Sequence, residues 1–247
     1  MERGVEELGT EVDEVGRRAL YLELCPNCGS HISDVRLEAG LPCAQCYPSP
    51  STAVLEEEDL ARRIKKVASE LSSAHSLKKY GRTFRTISRI EAFNKFFKRA
   101  AGYDLWAVQR TWASRALQGQ SFAIVSPTGT GKTVFGLVLA LYHVARIRKT
   151  LKRGEKAYLI FPSSFLVQQS EEKLESFAAK LGIDVRIMAY SGGDRGEFLS
   201  RLESGDFDVL LTTNQYLARN FDSIARNQFG LVFVDDVDAI LRASRNI

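Results

Sequence analysis

The stretch Phe122-Ala-Ile-Val125 followed by Ser126-Pro-Thr-Gly-Thr-Gly-Lys132-Thr133 decides the fold class. Its first four residues are a short apolar run that predicts a strand. The eight after it fit the phosphate-loop spacing G-x-x-x-x-G-K-[ST], with Ser126 standing where that pattern has glycine. The apolar segment Val134 to Ala145 predicts a helix. Strand, glycine loop and helix in that order cradle phosphate: Gly129 and Gly131 let the backbone curl so that successive N–H groups face phosphate oxygens, and the helix N-terminus adds its dipole. On this reading Ser126, Pro127, Thr128, Gly129, Thr130 and Gly131 wrap the phosphates of a nucleotide. Lys132 neutralises the β and γ phosphates, and the Thr133 hydroxyl ligates Mg²⁺. A chance glycine-rich turn is the plain alternative, and the strand-loop-helix setting argues against it.

The alternation continues beyond the loop. Candidate strands at Ala157 to Phe161, Val185 to Tyr190, Val209 to Leu211 and Leu231 to Val234 are separated by helical stretches starting near Gly131, Ser163, Gly196 and Gln215. This predicts βαβ units, an α/β fold with a parallel sheet and helices on both faces, and strands covered on both sides. The last strand runs into Asp235-Asp-Val-Asp238, placing carboxylates at the carboxyl edge of the sheet, where open α/β folds bind ligands. Asp235 is expected to hold Mg²⁺, directly or through water, and Asp236 to orient or deprotonate the attacking water. A solvated acidic strand end is the alternative. Three polar segments, Pro162 to Gln169, Tyr190 to Gly193 and Leu211 to Gln215, follow other strands. They suit the backbone phosphates of a nucleic acid as well as they suit turn and cap chemistry.

Towards the N-terminus the chain changes character. Residues 1–20 are acidic, rich in Glu and Gly and without a periodic apolar face, and are expected to be a flexible tail. Cys25-Pro-Asn-Cys28 and Cys43-Ala-Gln-Cys46 use all 4 cysteines as two C-x-x-C pairs separated by 14 residues. That spacing suits one tetrahedral Zn²⁺ held by Cys25, Cys28, Cys43 and Cys46, so residues 21–50 are expected to form a zinc ribbon with a structural metal. A redox pair would need one such motif, and a disulfide scaffold is disfavoured in a reducing compartment. His31 reads as a surface residue, because four thiolates complete the site.

Residues 51–102 read as a helical connector after the turn-rich Tyr47-Pro-Ser-Pro-Ser-Thr52. Leu60, Ile64, Val67 and Leu71 fall on one helical face, a second helix is predicted over Ile87 to Ala101, and a third over Leu105 to Leu117. Between Leu60 and Arg99 twelve Lys and Arg residues face Glu70 and Glu91 alone, and a second basic cluster runs from Arg146 to Lys156. Such an excess is the footprint of a polyanion partner; solvated helix faces are the alternative.

The 247 residues, 45% hydrophobic and 26% charged with net charge +4, have ordinary globular composition, which excludes a disordered or fibrous chain. The longest near-apolar run, Val134 to Ala145, falls short of the roughly 20 residues a membrane helix requires. The N-terminus lacks the apolar stretch of a signal peptide, so a cytoplasmic location without membrane association is expected.

With these pieces in order, the chain from Tyr21 onward resembles the N-terminal part of reverse gyrase, a thermophile family that joins a helicase-like ATPase to a type IA topoisomerase. The resemblance rests on the four-cysteine unit, the basic connector, Tyr103-Asp-Leu-Trp-Ala-Val-Gln109-Arg-Thr-Trp112 ahead of the phosphate loop, and DDVD in place of DEAD. It implies a RecA-like first motor lobe over residues 103–247, ATP-dependent positive supercoiling by the whole enzyme, and ATP, Mg²⁺ and one Zn²⁺ as cofactors. DNA is the implied partner, through largely sequence-independent backbone contacts. Residue by residue, the resemblance gives Gln109 the adenine edge and Phe93 or Phe96 an aromatic stacking surface. It gives Lys132, Asp235 and Asp236 the catalytic roles, and Pro162, Gln169, Gly192 and Thr213 contacts to the DNA backbone.

The resemblance also implies a second motor lobe with arginine fingers and a topoisomerase region, expected in the same polypeptide or a separate one. The given sequence ends nine residues after Asp238, and by itself is expected to bind nucleotide without appreciable hydrolysis or strand passage. Two other function classes fit the same residues. One is a DEAD-like superfamily-two DNA or RNA helicase with a zinc appendage; the other is a non-catalytic zinc and nucleic-acid-binding module whose nucleotide site is a switch.

Overall fold

The computed structural model describes residues 19–150, 155–192 and 195–239. The expected acidic tail therefore lies almost wholly outside the described residues, as do Gly193 and residues 151–154 of the second basic cluster. The chain divides into two compact units, Met1–Arg89 and Ile90–Ile247.

In the first unit β1 (Leu20–Tyr21) pairs antiparallel with β2 (Ile32–Ser33). Ser33 caps α1 (Asp34–Glu38), Ser51 caps α2 (Thr52–Leu55), and the Asp59 carboxylate accepts the Arg62 amide at 2.7 Å to start α3 (Leu60–Ser73). Ile64, Val67 and Leu71 are buried as their spacing predicts, with Ala68 beside them, whereas Leu60 is exposed. These residues share one apolar cluster with Leu41, Tyr47, Val54 and Tyr80, so the cysteine unit and α3 are built on a common core. The next helix, α4 (Tyr80–Ala101), starts seven residues before the predicted Ile87. Its first amide is capped from far away in sequence by Asn27, whose Oδ1 accepts from Tyr80 N at 3.4 Å, a signal that periodicity cannot carry.

The second unit contains the last turns of α4, then α5 (Ala107–Leu117), α6 (Lys132–Thr150), β3 (Lys156–Phe161), α7 (Ser164–Leu181), β4 (Ile187–Ala189), α8 (Arg195–Ser204), β5 (Val209–Thr213), α9 (Asn214–Arg219), α10 (Phe221–Ala225) and β6 (Phe229–Val234). The four strands form a parallel sheet in the order β4-β5-β3-β6. Period-two alternation divides the core. Ala157, Leu159, Phe161, Val209 and Leu211 face a cluster containing Phe93, Phe97, Trp112, Phe135 and Leu174, while Tyr158, Ile160 and Leu210 face Phe198, Leu202, Tyr216 and Ile224. The sheet thus has helices on both faces, and each fully buried large apolar side chain contributes about 1.5–3 kcal/mol.

Two expectations are corrected. Phe122–Val125 pairs with no strand among the described residues, and Val125 is 98% exposed. Four apolar residues do not hold a strand without ladder bonds, so composition alone overstated this segment. The second correction concerns β6, which is not covered on both faces: Leu231 and Phe233 are half-buried while Val232 and Val234 are exposed, as befits the edge of the described sheet.

Candidate nucleotide site and metal centre

The phosphate loop and the acidic motif meet. Thr133, in the first turn of α6, donates its hydroxyl to Asp235 Oδ2 at 2.6 Å across 102 residues of sequence. Two contacts set this geometry. The Asp235 amide donates to Ile160 O at 2.9 Å, extending the sheet ladder to the base of the site. One turn beyond Thr133, Gly136 lies against Phe233 of β6, so close that a Cβ there would sit 2.6 Å from the ring. Bare backbone at Gly136 thus lets α6 approach the strand that carries Asp235.

Asp235 is buried and Asp236 exposed. Asp236 has a φ of +49°, a left-handed conformation that short Asp side chains tolerate by bonding locally; its Oδ1 accepts from Ala239 N at 3.4 Å. Lys132 Nζ donates to the carbonyls of Ser126 at 2.8 Å and Pro127 at 2.9 Å. The Ser126 hydroxyl, at the position where the pattern has glycine, shares a 2.9 Å hydrogen bond with the Thr130 hydroxyl and closes the loop on itself.

Gln109 joins the same cluster. It is fully buried, its Oε1 accepts from Trp106 N at 3.1 Å, and its Nε2 donates to Thr130 O at 3.1 Å. A Cβ on Gly131, whose φ is +77°, would lie 2.7 Å from that Nε2, so glycine there serves both the loop's turn and the approach of Gln109.

The aromatic expectation fails for Phe93. Its side chain is fully buried, edge-to-face with Phe135 at 5.8 Å and Tyr142 at 5.0 Å, and it belongs to the core. Phe96 is half-buried against Tyr142. Sequence reasoning passed over Tyr103 and Trp106, which are 36% and 52% exposed with ring centroids 6.3 Å apart. The Tyr103 hydroxyl lies 3.6 Å from where a Cβ on Gly131 would be. Two aromatics within six residues of Gln109, in a loop rather than in a helix, were the available signal.

At the carboxyl edge of the sheet, register places Phe161 opposite Thr213 and Ile160 opposite Val234, which brings Pro162, Thr213 and Asp235 to one side. The Thr213 hydroxyl accepts the Tyr216 amide at 3.1 Å, and Ser163 accepts the Leu166 amide at 3.3 Å, so both also serve as helix caps. Gln169 is exposed on α7 and Gly192 is exposed at the end of the segment after β4.

In the first unit the Sγ atoms of Cys25, Cys28, Cys43 and Cys46 all lie within 4.8 Å of one another, with Cys28 and Cys43 at 3.6 Å. Tetrahedral Zn²⁺ with sulfur at about 2.3 Å requires S···S distances of about 3.8 Å, so the cluster fits the ion. Backbone amides support it: Ser30 N reaches Cys28 Sγ at 3.4 Å and Cys43 N reaches Cys25 Sγ at 3.2 Å. Hydrogen bonding to Ser30 draws the Cys28 thiol down to about 6, whereas burial pushes Cys43 up to about 12. His31 is exposed, as expected.

The basic excess sorts into two groups. Arg63 Nε donates to Glu57 O at 2.8 Å, and Lys66 bonds Ala53 O at 2.9 Å and the Glu57 carboxylate at 2.9 Å. Arg62, Lys65, Lys78, Lys79, Arg82, Arg85 and Arg89 are exposed. Lys156, at the end of the second cluster, bonds Asn227 at 2.7 Å and lies over the Phe207 ring. Among the described residues no helix is long and apolar enough to cross a membrane.

A DEAD/DEAH box helicase family model matches residues 106–246, more than half of the chain, and a reverse gyrase zinc finger model matches residues 17–62. Over 232 residues the chain is 41% identical to a reverse gyrase of Pyrobaculum aerophilum, covering 92% of this chain and 18% of that protein. It is 36% identical over 235 residues to the reverse gyrase of Thermococcus kodakarensis, covering 93% of this chain and 13% of that protein. Reverse gyrase 2 of Aquifex aeolicus is 39% identical over 225 residues, or 90% of this chain and 17% of that protein. The chain spans less than a fifth of the length of these relatives. With its phosphate loop and acidic motif in contact on a parallel sheet, and a matching zinc unit before them, this chain belongs to the DEAD/DEAH box helicase family and is similar to the N-terminal part of the reverse gyrases.

Proposed function

We propose that this chain is the zinc-held DNA-engaging part and first ATP-binding lobe of a reverse gyrase, acting in ATP-dependent positive supercoiling of DNA. Its parts are a zinc ribbon at 21–50, a basic helical connector at 51–102 and a motor lobe at 103–247. The observation that supports this reading is the 2.6 Å hydrogen bond from Thr133 to Asp235, which joins the two halves of a nucleotide site. Mg²⁺, when bound, would supply positive charge against the nucleotide's phosphates. Thr133 and Asp235 would hold it, and Lys132 would hold the phosphates. Gln109 keeps one lone pair and one N–H for the adenine edge once its present bonds are counted, with Tyr103 and Trp106 as neighbouring aromatics. Asp236 orients the attacking water. The carboxyl edge of the sheet and, separately, the exposed Lys and Arg side chains of the connector would each hold DNA through its phosphates. A second lobe and a topoisomerase region, in cis or as a separate polypeptide, complete the enzyme.

The test uses the full 247-residue chain. It should bind ATP and ADP with Mg²⁺, Lys132→Ala should abolish that binding, and Thr133→Val should remove the part that depends on Mg²⁺. ATP turnover should stay near background with or without single-stranded DNA until the remaining polypeptide is added, since arginine fingers are worth about 10³ to 10⁵ in rate in related hydrolases. The reconstituted enzyme should then introduce positive supercoils. Brisk DNA-stimulated turnover by the chain alone, or reconstitution without supercoiling, overturns the reading.

A further inference from the structure

Asn27 stands between the first two cysteines and is fully buried although polar. Its hydrogen bonds leave the knuckle. Oδ1 accepts from Lys78 N at 2.7 Å and from Tyr80 N at 3.4 Å, Nδ2 donates to Ser76 O at 2.9 Å, and the backbone carbonyl accepts from Lys79 N at 3.1 Å. All four partners form the corner between α3 and α4, and α4 starts at Tyr80. One residue, flanked in sequence by metal ligands, therefore caps the helix that follows Lys78 and Lys79 and carries Arg82 in its first turn, all three exposed. Cys25 and Cys28 flank Asn27, and Cys43 and Cys46 come from the second knuckle, so the asparagine is held in place when one ion joins the two knuckles.

We propose that Asn27 is a positioning residue that ties the metal centre to the α3–α4 corner, so that metal occupancy sets the order of residues 76–82 and the presentation of Lys78, Lys79 and Arg82 to a nucleic acid. The last clause rests on the reading of the connector as a DNA-engaging surface. The tie itself requires only that the corner's amides lose their acceptor when the knuckle loosens.

Amide hydrogen exchange on the full chain tests the tie. Removing zinc from the wild type with a chelator should accelerate exchange at the Lys78 and Tyr80 amides by about tenfold, the upper range for one net hydrogen bond. Zinc-loaded Asn27→Ala should show the same acceleration while retaining its metal. Asn27→Asp keeps the acceptor and should leave those amides protected, whereas Asn27→Leu, alike in size but without an acceptor, should not, a contrast that a general packing role would not produce. Protected corner amides in the zinc-stripped wild type or in Asn27→Ala overturn the tie. Should Asn27→Ala not fold, the stripped wild type and Asn27→Asp still decide. A labelled single-stranded oligonucleotide tests the reading separately: replacing Lys78, Lys79 and Arg82 by Ala should weaken its binding several-fold. Unchanged affinity there overturns the corner's DNA role and leaves the exchange result to judge the tie.

Discussion

Gly131→Ala and Gly129→Ala make a matched pair that isolates the contact between the phosphate loop and Gln109. Both glycines have positive φ, +77° and +81°, so alanine at either costs about 1–2 kcal/mol in backbone strain. They differ in surroundings. A Cβ at position 129 meets nothing within 4 Å, whereas one at 131 would sit 2.7 Å from Gln109 Nε2. Gln109 is fully buried, so its amide must shift and give up the 3.1 Å bond to Thr130 O, a further loss of about 1–3 kcal/mol for a buried group left unpaired. Gly131→Ala should therefore melt about 2–12 °C below Gly129→Ala, at about 2–4 °C per kcal/mol for a unit of this size. Calorimetric unfolding measures the difference, and fluorescent ADP titration should show the larger loss of affinity in the same variant. A double-mutant cycle with Gln109→Ala should return most of the excess, because the clash goes with the amide. Equal melting of the two alanine variants, or no coupling to Gln109, would refute the claim that this approach shapes the loop.

Three further outcomes can be checked. Metal analysis should give one zinc per chain, and Cys43→Ala should loosen α3 as well as the ribbon, visible as exchange spreading to residues 64–71, because Leu41 and Tyr47 share the α3 core. Replacing Arg62, Lys65 and Arg82 by Ala should weaken oligonucleotide binding and flatten its salt dependence by about one unit of slope for each phosphate that these side chains neutralise, whereas replacing Arg63 and Lys66, which bond within the protein, should lower stability instead. Hydrogen bonds from Ser51 and Tyr47 hold the Glu70 carboxyl below its ordinary 4.5. The stability they contribute is present above that value and lost as pH falls through the lowered one, so Glu70→Gln should flatten the acid limb of the first unit's unfolding profile.

What was legible in the sequence depended on whether the signal was local. The helix starts at Lys132, Ser164, Arg195 and Asn214 fall within one residue of those read from glycine, serine and apolar spacing, because caps and periodicity are short-range properties. The four-cysteine cluster was equally legible, since two tight turns of fixed spacing need one long-range fact alone, their meeting. Signals that depend on a partner misled. Phe122–Val125 has strand composition and no ladder partner among the described residues, and Phe93 has an aromatic's usefulness for stacking but is enclosed by Phe97, Phe135 and Tyr142. The start of α4 was missed for the same reason: its cap is supplied by Asn27, 53 residues earlier.

The site also suggests how nucleotide changes it, through side chains that turn on a fixed helix. Lys132 now bonds two neutral carbonyls, and a phosphate oxygen offers a charge-assisted bond roughly twice as strong, so the exchange favours the ligand. Thr133 donates to Asp235; toward a cation the hydroxyl presents a lone pair instead, and the carboxylate is held by its place at the end of the ladder. Both changes are rotations within the first turn of α6, provided that turn keeps its distance from β6. Gly136 sets that distance. Alanine there gains about 0.8–1.0 kcal/mol in helix propensity. Its Cβ would lie 2.6 Å from the half-buried Phe233 ring, an overpacking that costs about 1–3 kcal/mol. Gly136→Ala should therefore lose stability on balance, and nucleotide affinity should fall with it as Thr133 moves away from Asp235. Lys132→Ala, in contrast, should lose affinity without loss of stability. If Gly136→Ala gains stability and binds nucleotide as the wild type does, the fixed-helix argument is wrong, and α6 has room to move against the sheet.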